Sequence, residues 1–75
     1  MITLAQMNPG ERGVVRQVLG GWGQQRHLRS LGIREGKVVR IMTKQPARGP
    51  IVVEVDGNQI AIGRGVAMKV LVEVT

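Results

Sequence analysis

The chain contains no cysteine, no phenylalanine and no tyrosine. The first absence excludes disulfides, thiolate zinc sites, iron–sulfur clusters and cysteine nucleophiles in one step, and it fits a reducing compartment, so cytoplasm is the expected location. The second leaves Trp22 as the sole aromatic residue and removes the stacking platforms that single-stranded nucleic acids prefer, so no nucleic-acid partner is expected. Acidic residues are scarce. Glu11, Glu35, Glu54, Asp56 and Glu73 stand singly, none three or four residues from His27, the one histidine. A first-row divalent metal needs several such ligands converging, so no metal and no cofactor are expected, and His27 reads as a polar helix-face residue beside Leu28. No apolar run approaches the roughly 20 residues of a membrane span. Met1-Ile2-Thr3 opens no charged-then-apolar leader, so neither membrane insertion nor export is expected. The hydroxyls of Thr3, Ser30, Thr43 and Thr75 occupy no nucleophile elbow, and Gly20-Gly21-Trp22-Gly23 lacks the Lys-Ser/Thr pair of a phosphate loop. Neither enzymatic chemistry nor nucleotide binding is expected.

What is present points to a small β domain. Seventy-five residues make one domain, 1–75, which buries only about 60% of the surface its unfolded chain exposes and leaves no room for a deep catalytic cleft. Twelve Val and six Ile outnumber five Leu, a β-branched excess that suits pleated strands. Eleven Lys and Arg against five acids give a formal charge of +6, which favours an acidic partner, although a charge of this size also serves solubility alone.

The chain is organised around Gln24–Leu31, the one segment that reads as a helix. Leu28 and Leu31, at i and i+3, form a narrow stripe toward a core while Arg26 and Arg29 stay in water. Gly32 supplies the left-handed residue that stops the helix, and Ile33 is placed to fold back on its last turn. Before it, Asn8-Pro9-Gly10-Glu11 reads as a turn, followed by a strand over Gly13–Leu19 with Val14, Arg16 and Val18 on one face and Val15, Gln17 and Leu19 on the other. Gly20–Gly23 reads as a flexible loop whose Trp22 packs over the end of a barrel or, alternatively, meets a partner. After the helix, Gly36 turns the chain into a strand over Lys37–Lys44, and Gln45–Pro50 is a loop. Ile51–Val55 is a strand with Ile51, Val53 and Val55 inward, joined by an Asp56-Gly57 hairpin to Gln59–Ile62. A single turn at Val66-Ala67 precedes a last strand, Met68–Val74, with Val70, Val72 and Val74 on one face. About five strands and one short helix predict a mainly β, partly open small barrel. The basic residues Arg26, Arg29, Arg34 and Lys37, with Trp22 beside them, form the candidate contact patch, the alternative being a solvated helix face. Gly10, Gly32, Ile33, Gly36 and Gly57 are the candidate structural positions.

Taken together these residues resemble the ferrous iron transport protein A (FeoA) family. The resemblance rests on Leu4 before Pro9-Gly10 and Gly13; on Arg26-His27-Leu28 running into Leu31-Gly32-Ile33 and Gly36; and on Gly49-Pro50-Ile51, Asp56-Gly57, Ile60-Ala61-Ile62, Arg64 and Ala67. It implies an SH3-like barrel with an inserted helix, and a regulatory partner of the ferrous iron transporter FeoB, engaged at its cytosolic GTPase portion, with self-association left open. It carries no catalytic residues. Gly65 departs from a helix-forming position of the family, and the Gly20–Gly23 loop is unusually rich in glycine. Two other readings stand beside it: an RNA- or ribosome-associated SH3-like module, and a free-standing relative of the C-terminal domain of iron-dependent repressors.

Overall fold

The computed structural model describes residues 1–75. In chain order they form β1 (Ile2–Thr3), a 3-10 turn (Leu4–Gln6), β2 (Arg12–Val18), α1 (Trp22–Ser30), β3 (Val38–Lys44), β4 (Ile51–Val55), β5 (Asn58–Ile62), α2 (Arg64–Ala67) and β6 (Val70–Val74). The strands make one sheet in the order β1-β6-β2-β3-β4-β5, every neighbour antiparallel. The fold is mainly β, as the composition predicts, with six strands instead of about five. The extra one, β1, is two residues long and exists by pairing with β6, Ile2 opposite Val72 and Thr3 opposite Leu71. So short a strand leaves no alternation in sequence. The segment after it carries no helical period either, yet Leu4 and Met7 are both fully buried. Lys44 Nζ reaches across to donate to the Ala5 and Met7 carbonyls at 2.8 and 3.1 Å, satisfying backbone acceptors that a three-residue turn leaves open.

The core consists of fifteen apolar side chains and contains no polar or charged one. β4 obeys the period of two, with Ile51, Val53 and Val55 inside and Val52 and Glu54 half-buried. β2 does not. Its pairing with β6 slips between Val15, opposite Val72, and Gln17, opposite Leu71, so Arg16 is an extra residue and the strand changes parity there. Val15 and Val18, three apart, are therefore both buried, which corrects the simple division of Gly13–Leu19 into two faces. β3 has a matching irregularity between Ile41 and Thr43. Each bulge bends its strand and adds twist, which lets one sheet curl over its own aliphatic face. Where β2 and β6 run together, Gly13 has no room for a side chain: a Cβ there would lie 3.0 Å from the Glu73 carbonyl oxygen.

α1 begins two residues earlier than predicted, with Gly21 as its N-cap and Trp22 in its first turn. Its end has the geometry of a Schellman cap. Gly32, at φ +92°, donates its N–H to the Arg29 carbonyl at 3.0 Å, and Ile33 donates to the Leu28 carbonyl at 2.9 Å. Ile33 and Leu28 are fully buried in the same core, the hydrophobic contact that accompanies this cap. The helix is thus fastened to the sheet at its C-terminal end, and Leu31 is only half-buried. At the other end of the chain, α2 holds Gly65 in its single turn, and Met68 caps it by donating its N–H to the Arg64 carbonyl at 2.9 Å. That delays the last strand to Val70. Val74, expected to share a buried face with Val70 and Val72, is 42% exposed at the end of the sheet.

Candidate partner-binding surface

α1 presents its outer side as a small basic and aromatic surface. At about 100° per residue, Trp22 lies about 120° around the helix from Leu28 and about 180° from Leu31, so burying the leucines turns the indole outward. Trp22 is 76% exposed. The expected lid over the barrel end is therefore not formed; the reason is that the helix extends back through Gly23 and carries the tryptophan on its solvent side. Arg26, one turn later, stacks its guanidinium 5.1 Å from the indole centroid, a cation–π pair worth about 0.5–1 kcal/mol at an exposed site. Trp22, Gln25, Arg26 and Arg29 line a shallow concavity of about 290 Å³. Within it Gln25 donates Nε2 to the Gly20 carbonyl at 3.0 Å.

The other candidates divide. Arg29 Nη2 lies 3.9 Å from Glu35 Oε1, with both side chains half-exposed, a pair too loose and too wet to immobilise either group. Arg34 is exposed and makes no ion pair. Lys37 is different: its Nζ bonds Asp56 Oδ2 at 3.0 Å and its side chain is 30% exposed. It ties the exit of α1 to the turn between β4 and β5, and its charge is already answered. The structural candidates Gly10, Gly36 and Gly57 have φ of +90°, +90° and +81°. His27 is exposed on α1, and no three His, Cys, Asp or Glu side chains gather anywhere in the chain.

A second concentration of positive charge escapes a reading of sequence alone. Arg12 and Arg40 face each other across β2 and β3. The flanking ladder bonds, Ile41 N–H to the Glu11 carbonyl and Val15 N–H to the Lys37 carbonyl, make theirs a non-hydrogen-bonded pair, the kind in which side chains approach most closely. Like charges so placed repel. Neither arginine has an ion-pair partner, so the basic surplus is shared between the helix and the outer face of the sheet.

Residues 2–74 match the FeoA domain family. The chain belongs to the FeoA family. Among FeoA relatives, a Methanocaldococcus jannaschii protein provisionally named Fe(2+) transport protein A is 38% identical over 73 residues, covering 97% of this chain and 87% of that one. A crystal structure of an iron uptake regulatory protein, FeoA, agrees with TM-score 0.91 at 34% identity, over 99% of this chain and 96% of that one. FeoA of Stenotrophomonas maltophilia, solved in complex with zinc and described as a prokaryotic SH3 domain protein, agrees with TM-score 0.83 at 28% identity, over 97% and 91%. The FeoA fold seen here is accordingly the SH3-like one that the resemblance implied.

Proposed function

We propose that this chain is a non-enzymatic accessory of ferrous iron uptake that works in the cytoplasm by docking on the GTPase portion of a FeoB-like transporter. Membership of the FeoA family supports the iron-transport setting. The observation that carries the mode of action is Trp22, 76% exposed and held beneath Arg26 on a helix anchored from its opposite side. Tryptophan and arginine are the residues most enriched at energetic centres of protein interfaces, and here the stack between them sets the two side by side on the solvent side of the helix. Arg29 and Arg34 flank them. Lys37, bound to Asp56, contributes by holding the helix exit in place.

The test is calorimetric titration of the intact chain against the purified GTPase domain of the FeoB-like transporter from the same genome, at low salt. Trp22→Ala should weaken binding at least about tenfold, the scale of an aromatic anchor, while the protein stays folded with a melting temperature lowered by no more than a few degrees, because the indole supports no core and only the stack with Arg26 is lost. Arg26→Glu with Arg29→Glu should weaken it further and flatten its salt dependence, since exposed charges act on encounter and specificity. Wild-type affinity in both folded variants would remove α1 as the docking surface.

A further inference from the structure

Arg48 stands in a backbone conformation that arginine rarely adopts. Ala47 and Arg48 have φ of +55° and +62° at the centre of the tight turn between β3 and β4, closed by the Gly49 N–H donating to the Pro46 carbonyl at 3.1 Å. Glycine and asparagine take such positions without strain, and strain retained at a non-glycine residue is a pointer to function. Arg48 lines a groove of about 540 Å³ together with Ala5, Arg64, Gly65 and Met68. A volume of that size suits a small ligand or one or two peptide side chains.

The lining has two chemistries. One side is apolar and accessible: Met68 is 59% exposed, and the space above Gly65 is open, with no atom within 4 Å of where a Cβ would stand. The lining also holds two arginines, Arg48 and Arg64, and none of the chain's five acids. Arg64 is pinned by Nη2 donating to the Gln45 carbonyl at 3.0 Å, while its Nε is closed off from water with no partner. A guanidinium has five donors in a rigid fork matched to a carboxylate. The buried Nε cannot meet a ligand, so an anion in the groove meets the terminal nitrogens of Arg64, which the Gln45 bond already orients.

We propose that this groove binds a carboxylate carried next to an aliphatic side chain on a peptide, with the anion between Arg48 and Arg64 and the aliphatic group against Met68 and Ala5. The site is built from the first turn of the chain, the β3–β4 turn and α2. It shares no residue with the α1 surface and stands whether or not that surface docks.

The test uses isotope-labelled intact protein and three probes: acetyl-Ala-Leu with a free C-terminal carboxylate, the same dipeptide as its neutral amide, and acetyl-Glu-Leu-amide. Carboxylate binding should give saturable NMR shifts of the Arg48, Gly65 and Met68 amides and of the Arg64 Nε–H signal in the millimolar range. The free acid and the glutamate peptide separate a chain terminus from an acidic side chain as the source. Arg48→Gly should weaken binding about tenfold, for the loss of a charge-assisted bidentate contact, while the melting temperature rises as the turn relaxes. Failure of both acidic probes to saturate, equal shifts from the neutral amide, or unchanged affinity in Arg48→Gly would each overturn the proposal.

Discussion

β4 is held between two tight turns of the same handedness and opposite chemistry. At its exit Asp56 and Gly57 adopt φ of +52° and +81°; at its entrance Ala47 and Arg48 adopt +55° and +62°. The first pair is among the residues that a two-residue hairpin with left-handed centres selects, so the turn promotes the pairing of β4 with β5. The second pair opposes its own geometry. There the strands impose the turn: β3 and β4 are already in register at Lys44 and Ile51, and the Gln45 N–H closes on the Pro50 carbonyl at 3.1 Å. Local preference thus drives one end of the strand, and long-range pairing overrides it at the other.

Exchanging the turn residues should break this contrast. Asp56→Ala with Gly57→Arg should destabilise the protein by about 2 kcal/mol or more, from about 1–2 kcal/mol for a side chain in the left-handed region and the loss of the Lys37 ion pair. Urea unfolding would show it as a lower midpoint with an unchanged slope, and an unchanged midpoint would mean that Asp-Gly does not hold this hairpin. The reciprocal change, Ala47→Asn with Arg48→Gly, should stabilise by about 1 kcal/mol, raising the melting temperature of a domain this size by about 4–8 °C. A lower melting temperature would show that the entrance turn is not strained. The smallest effect sharpens the comparison by separating geometry from charge. Asp56→Asn keeps a residue that tolerates positive φ but removes the pair with Lys37, and should shift stability by no more than about 0.5 kcal/mol, a difference that vanishes at about 1 M salt.

What was legible in the sequence follows the same division. Leu31-Gly32-Ile33, Asp56-Gly57 and the alternation of Ile51–Val55 were readable because the residues that make each feature are neighbours in the chain. The start of α1 was not: four residues containing three glycines read as a loop, but the helix is stabilised from its far end, where Leu28 and Ile33 enter the core, and its first turn follows. β1 and the buried Leu4 and Met7 depend on β6 and on Lys44, which are distant in sequence. The candidate surface was half legible. The basic cluster and Trp22 were visible by proximity, whereas the withdrawal of Lys37 to Asp56 and the outward turn of the indole required the fold. The groove holding Arg48 and Arg64 was invisible, since three separated segments build it.

A strand is read in twos, and inserting or deleting a residue exchanges inside for outside in everything beyond it. Arg16 lies outside that counting, because Val15 and Gln17 already oppose consecutive residues of β6. Without it, Gly13, Val15 and Val18 would face inward in strict alternation with Val14 and Gln17. Deleting Val14 instead would turn the strand inside out. The membership of the core is therefore encoded by parity, and the curvature that folds the sheet over that core is encoded separately, in β2 by an uncounted residue whose side chain faces the solvent and grips Glu73 at 2.7 Å, and in β3 by the irregularity between Ile41 and Thr43.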